Sequence, residues 1–477
     1  MYHEISVLRG LAWRKCCFAC ARGVVLAGIY TVFITCARGE TLTFSSLLER
    51  ARSGEPGYLS ARADVEVADA RVGQAFGTML PQISVTGSTH ANDRDYETRS
   101  SLVPEEKDRY NNNSAQISLT QPLWRYENIV GWRQAKRVAE QARHALTGAE
   151  QLLFSRLAAS WFDFLAARDA VVFTERQAAA YELEWKTLAR GEELGDMSLV
   201  EVEEARAKLD QALSDKITAQ AEAQLKQAAL EQLSGPLGSF AAPWLREVAE
   251  LSFSPKETLE NWLSGIEGGN PGLLAAIRAF EAAAAEVDKQ RAGHYPTLDL
   301  VASYGKNSQQ VGGFPGQEGY DIKQGSIGLQ LNVPIFSGGT QSAKVREAVA
   351  QKEKARLEME AARRAATLEI KQAWFLWQSG TARVQAGHQA IRAVRLLLAQ
   401  SRKGEELGLN TGIEILRAEQ QLHAGERDLQ KARYDQIVAR IRLKASVGAL
   451  SEEDVAAIDA LLVFERETEL AGIAQGK

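Results

Sequence analysis

The sequence predicts an α+β membrane protein in which long antiparallel helices carry four β-strands, and three observations lead there. The chain is an internal duplication. Each copy holds one very long stretch free of proline and rich in helix-forming residues. Each copy also holds two short segments of alternating polarity, with the length of bilayer-spanning strands.

The duplication shows first in the pentapeptide GEELG, at Gly191–Gly195 and again at Gly404–Gly408, 213 positions on (404 less 191). At the same offset Trp161-Phe162 matches Trp374-Phe375, Ala205 matches Ala418, Leu209 matches Leu422 and Gly235 matches Gly448. Leu237 matches Leu450 in the same way, and Pro56-Gly57/Pro271-Gly272, Pro81/Pro296 and Pro122/Pro334 follow at offsets of 215, 215 and 212. The order is kept throughout, which marks two repeats, about 41–236 and 253–448, inside one unit of residues 38–477. Residues 451–477 form a tail.

In chain order, residues 1–37 read as a secretory signal. Arg9, Arg14, Lys15 and Arg22 precede the apolar core Gly23–Thr35, too short for a bilayer, and Thr35-Cys36-Ala37 is an acceptable cleavage site. Acylation of Cys36 is the alternative, disfavoured by Thr35. All four cysteines (Cys16, Cys17, Cys20, Cys36) lie in this segment, so cleavage leaves no disulfide and no thiolate metal site.

Residues from about Tyr58 to Leu80 are expected to form a helix, followed by strands at Ile83–His90 and Ala115–Trp124 inside 82–124. No proline interrupts residues 123–235 or the chain after Pro334, and those stretches are rich in Ala, Leu, Glu, Gln, Arg and Lys. A helix from about Glu127 to Leu194 would run roughly 100 Å at ~1.5 Å per residue. The second copy repeats the plan, with strands at Thr297–Gly305 and Gly325–Phe336 inside 297–336 and a helix from about Gly339 to Leu407. In the last strand Ile327, Leu329, Leu331, Val333 and Ile335 share one face, the period of two of a half-buried strand. The links inside each strand pair are long and polar. At about nine to eleven residues these strands have transmembrane length. Four strands cannot close a barrel, and open edges in lipid leave backbone groups unpaired, so other copies must complete it. The helix before the first strand and the one after GEELG (about Ser198–Ser234) together match the long helix in length, so each repeat is two antiparallel helical columns below a strand pair.

The pentapeptide itself marks a sharp reversal. Gly195 precedes Ser198 and Glu201, and Gly408 precedes Thr411 and Glu414, each with the spacing of a capping box that opens a helix. A glycine ahead of it ends the preceding helix by turning left-handed. Each repeat therefore carries a tight helical hairpin tip.

Composition excludes several classes. Without residues 1–37, Lys+Arg falls from 56 to 52 and Asp+Glu from 61 to 60, a net charge of −8, which argues against a nucleic-acid partner. The histidines are scattered, and no H-E-x-x-H, G-x-S-x-G or phosphate loop is present, so neither an enzyme nor a cofactor is expected.

With the duplication, the paired Pro-Gly helix starts, the strand pairs bounded by Pro122 and Pro334 and the Gly-x-x-[ST]-x-x-[DE]-[VI] tips, the chain resembles the TolC family of bacterial outer-membrane factors over essentially all of residues 41–450. The resemblance implies a homotrimer: a twelve-stranded outer-membrane β-barrel, four strands per protomer, continued by a long antiparallel α-helical barrel across the periplasm of a Gram-negative cell. It further implies that the tips dock a periplasmic adaptor (membrane fusion) protein joined to an inner-membrane ABC transporter, and that residues 451–477 are periplasmic. Family members carry acidic residues just past the second tip. Glu414 occupies the first such position, whereas Arg417 occupies the second, and Asn410 stands where a basic residue is familiar. The expected aperture residues are Gly195, Ser198, Glu201, Gly408, Asn410, Thr411, Glu414 and Arg417. Arg417 pairing with Glu414, within or across protomers, is the expectation weighed against a solvated surface pair. The cargo implied is an unfolded protein toxin leaving by type I secretion. The alternatives are multidrug or small-molecule efflux and, in a different class, a structural coiled-coil protein of the cell envelope.

Overall fold

The structure is a computed structural model that describes residues 40–97, 106–195, 197–238, 240–246, 258–313, 317–407 and 412–464. The signal segment, the second tip at Gly408, Asn410 and Thr411, and residues 465–477 of the tail lie outside the described residues.

Residues 41–477 form one unit in which the same run of elements occurs twice. After β1 (Glu40–Thr41) and α1 (Phe44–Gly54), the first run is α2 (Pro56–Gly77), β2 (Gln82–Tyr96), β3 (Glu106–Trp124), α3 (Tyr126–Glu193) and α4 (Leu199–Ser234). Short strands β4 (Phe240–Ala241) and β5 (Trp244–Leu245) and helices α5 (Leu259–Ser264) and α6 (Ile266–Gly269) lead into the second. That run is α7 (Pro271–Ala292), β6 (Thr297–Val311), β7 (Glu318–Asn332), α8 (Thr340–Glu406) and α9 (Gly412–Ser446), followed by α10 (Glu452–Ala460) and β8 (Leu462–Val463).

The start signals act identically in both runs. Pro56 and Pro271 open α2 and α7, where a missing N–H costs nothing, and the side chains of Glu55 and Asn270 accept from the free amides of Tyr58 and Leu273. At the far ends Gly235 and Gly448 hold positive φ of 79° and 67°, backbone that favours glycine, just past α4 and α9. Helices α3 and α8 reach 68 and 67 residues. Each packs α2 or α7 along its strand end and α4 or α9 along the rest.

The four long strands form one antiparallel sheet in the order β2-β3-β6-β7. They exceed the expected lengths at the outer end, with 15, 19, 15 and 15 residues. The sequence reading assigned the polar residues there to loops. They instead continue the ladder as cross-strand charge pairs, Asp93 with Arg109 at 3.1 Å and Asp95 with Lys107 at 2.5 Å. At the other end β7 stops at Asn332, not Phe336, because Pro334 has no N–H to give a ladder. Val333, Ile335 and Phe336 consequently lie beyond the strand, exposed.

The largest core sits partway along the helices, away from the sheet. Leu157, Trp161, Phe162 and Leu165 of α3 pack there against Tyr434, Ile437 and Ile441 of α9, with Leu230 of α4, Leu47 of α1 and Ile458 of α10 closing over them. The β4–β5 segment is strapped to this core. Arg168 donates to the carbonyls of Ala242 and Pro243 at 3.0 and 2.7 Å, and its guanidinium lies 3.9 Å from the ring centre of Trp244. Tyr434 donates to Asp169 at 2.9 Å, and burial, reinforced by that carboxylate, pushes the phenol well above its usual range and keeps it a donor.

Candidate functional site

The sheet has two chemically opposite faces, set by register. On one face Ile83, Leu119, Ala302 and Ile327 lie in a row across all four strands, and Val85, Ile117, Tyr304 and Gly325 form the next. Ile83, Val85, Ile117, Tyr304 and Ile327 stand exposed, Val85 at 75 % and Ile327 at 76 %, while Leu119 and Ala302 are half-buried. Along β6 the band comprises Leu298, Leu300, Ala302 and Tyr304, roughly 15 Å high for a strand tilted about 40°, and the exposed Val333, Ile335 and Phe336 continue the apolar surface past the strand end. Beyond it this face turns charged, with Lys306 bound to Asp321 at 2.8 Å. Trp124 and Phe336 lie exposed at the base of the sheet, where an interfacial girdle would run.

The opposite face is polar and nearly free of charge. Ser84, Ser118, Ser303 and Ser326 form one row, with hydroxyl contacts of 2.8 Å (Ser84–Ser118) and 2.9 Å (Ser303–Ser326). Thr86, Gln116, Gly305 and Gln324 form the next. Charge returns only at the two ends. At the helix end Arg125 grips Asp299 with two bonds of 2.8 and 2.6 Å, and at the outer end Arg94 pairs with Asp108. Between them no acidic or basic residue other than His90 projects from this face among the described residues. Hydroxyls and amides wet such a wall without sorting solutes by charge.

At the other extreme of α3 the first tip is built as its sequence signature requires. Gly195 holds φ of 83°, and its N–H closes on the carbonyl of Glu192 at 2.9 Å. Ser198 and Glu201 then form a reciprocal capping box, at 3.0 and 3.3 Å, that opens α4. Around this turn Leu194, Leu199 and Val200 are exposed, at 71 %, 62 % and 70 %. In the second hairpin Glu414 and Arg417 both stand exposed on the opening turns of α9. The pairs that do bridge α8 and α9 lie further up: Arg402–Glu419 at 2.7 Å and Arg395–Glu426 at 3.3 Å.

Sequence reasoning missed the serine row and the Arg125–Asp299 grip. The first needs the register between β3 and β6, which lie in different repeats. Asp299 alternates in phase with Ser303 and was readable as polar-face, but its partner 174 positions away was not. No group of three or more His, Cys, Asp or Glu side chains able to hold a metal exists among the described residues, and no described helix is long and apolar enough to cross a membrane.

Comparison with known proteins places this geometry. The family model described as "Outer membrane efflux protein" matches residues 47–236 and again 262–449. The chain is similar to outer membrane protein TolC of Vibrio cholerae, 27 % identical over 422 residues, covering 87 % of this chain and 93 % of that protein. It is likewise similar to the alkaline protease secretion protein AprF of Pseudomonas aeruginosa, 27 % identical over 355 residues, covering 74 % and 73 %. Among solved structures, the CmeC outer membrane channel of Campylobacter jejuni superposes with a TM-score of 0.73 at 15 % identity, covering 88 % of this chain and 89 % of that one.

Proposed function

Because the chain belongs to the outer membrane efflux protein family, we propose that three copies of it assemble into one duct through the outer membrane and across the periplasm. Its α+β channel fold, its place in the outer membrane and its lack of enzymatic chemistry follow from the family. It is an outer-membrane efflux or secretion channel.

The observation that carries the trimer is the open sheet. Strands β2 and β7 are its edges and have no further strand partner among the described residues. Each 15-residue edge leaves about seven N–H and seven C=O groups pointing outward, and in hydrocarbon every unpaired group costs several kcal/mol. Pairing β2 of one copy with β7 of the next removes both edges. Two copies would give eight strands, a barrel filled by its own side chains. Three give twelve and leave a lumen, with the serine row facing inward and the apolar rows facing lipid. The helices offer matching surfaces: Leu213, Ile217 and Leu225 stand exposed on α4, and Leu368, Phe375 and Leu376 on α8.

In this assembly Gly195, Ser198 and Glu201, with Gly408, Asn410, Thr411, Glu414 and Arg417, surround the periplasmic aperture. The exposed leucines and valine of the tips meet a periplasmic adaptor, which couples the duct to an inner-membrane ABC transporter. The cargo is an unfolded protein exported by type I secretion, a reading supported by the similarity to a protein named for protease secretion. Small-molecule efflux is the second reading, favoured by the uncharged wall, which does not discriminate among solutes.

Cysteine cross-linking tests the assembly. All native cysteines fall within residues 1–36, so cysteines introduced at Thr86 on β2 and at positions 324–328 on β7 report alone. Oxidation should yield covalent trimers as the largest product. Products limited to monomers, or a ladder running past three, would overturn the closed ring. Cargo is decided in cells lacking the gene: loss of one protein from the culture medium supports secretion, and dye accumulation with an unchanged medium supports efflux.

A further inference from the structure

Between the helices lies a cleft of about 600 Å³ that neither the sheet nor the tips account for. It is lined by α3, α8 and α9, together with Trp244 and Leu245 of β5 and Val463 of β8. Six arginines and two histidines line it, against only two carboxylates, Asp169 and Glu426. Both carboxylates are already engaged, Asp169 by Arg168 at 2.6 Å and Glu426 by Arg395 at 3.3 Å. Arg427 is held over the ring of Phe173 at 4.7 Å and bound to Asp428 at 2.7 Å. Arg176 of α3 and Arg392 of α8 have no carboxylate partner among the described residues and line the cleft from different helices.

Arg176, Arg392, Arg395 and Arg427 are solvent-exposed around the cleft, and like charges gathered around a concavity focus a positive potential into it. A guanidinium fork matches the paired oxygens of a phosphate or carboxylate. The volume is that of an ordinary small-molecule site. Phe173 lies 47 residues along α3 from its strand end, roughly 70 Å from the sheet, so a lipid headgroup cannot be the source of the anion. We propose that this cleft binds a compact, soluble, multiply charged oxyanion, with Arg176 and Arg392 as its principal contacts. Bound there, the ligand bridges α3 to α8 and α9 and holds the two helical hairpins against each other.

Calorimetric titration of the purified full chain in detergent at low salt tests this, with tripolyphosphate and citrate as separate probes. One saturable site per chain is expected for at least one probe, and which probe binds tells phosphoryl from carboxylate recognition. The double variant Arg176→Ala/Arg392→Ala should weaken binding at least tenfold and abolish the rise in melting temperature on saturation. The control Arg356→Ala/Arg364→Ala removes the same charge from a distant part of α8 and should bind as the unaltered chain does. Absence of saturable binding for both probes, or equal binding by all three proteins, would overturn the assignment. So would equal weakening in both variants, which would mark general charge attraction.

Discussion

Phe375 gives the sharpest test of how the helices assemble. It lies on α8 at the position that corresponds to the fully buried Phe162 of α3, yet it is 57 % exposed in the single chain. A phenylalanine side chain offers about 200 Å², so roughly 110 Å² is left for a neighbouring copy to cover. At ~25 cal/mol per Å² that surface stabilises each contact by about 3 kcal/mol, or ~8 kcal/mol over the three contacts of a closed ring. Phe375→Ser should leave the single chain's own fold nearly unchanged, because the ring touches little within it. The trimer should dissociate at clearly lower temperature in dodecyl sulfate, read as the loss of the trimer band on a heated gel series. The far-ultraviolet circular dichroism of the intact trimer at room temperature should not change. An unaltered dissociation temperature would show that no neighbour covers this residue and would refute the proposed packing of the helical barrel.

Other expectations concern the tips, the aperture and acid. Gly195→Val places a β-branched residue at φ of 83° and should cost about 1–3 kcal/mol locally, impairing export while gel filtration still reports trimers; normal export would sink the hairpin's role. Arg417→Glu sets a second acidic position beside Glu414 in each copy, so single-channel recordings should show stronger cation block at low salt that fades at high salt. Identical block in both salts would return the residue to plain surface decoration. Burial alone would push the Glu286 carboxyl up, but hydrogen bonds from Gln290 and Gln134 and the charge of Lys289 hold it below its ordinary 4.5. Hydrogen bonds from Arg356 and Arg364 likewise lower Glu353 and Glu360. Groups lowered on folding stabilise above the unfolded value and lose that contribution as pH falls through the folded one. The melting temperature should therefore be flat from pH 7 to 5 and fall below about 4.5; a rise on acidification would contradict these assignments.

Much of this architecture was legible because it is local. Helix ends follow from Pro56, Pro271 and Gly195 ahead of the Ser198 capping box, and helix length follows from the absence of proline. The strand ends were misjudged for an equally local reason. Asp93, Asp95, Lys107 and Arg109 look like loop residues until the ladder sets them opposite one another. What could not be read depends on distant pairing. The two repeats meet at β3 and β6, and only that register creates the serine row and brings Arg125 onto Asp299. The arginine cleft draws its walls from residues as far apart as 176, 392 and 427, with no shared period to betray it.

The central claim is a barrel that one chain cannot close. The most direct test is the native mass of the complex extracted in mild detergent, with the detergent contribution subtracted. Three copies per particle are predicted, at every protein concentration that leaves the fold intact. A stable, folded monomer or dimer would contradict the account, since either would leave the polar edges of β2 and β7 open to lipid or close a barrel too narrow to conduct.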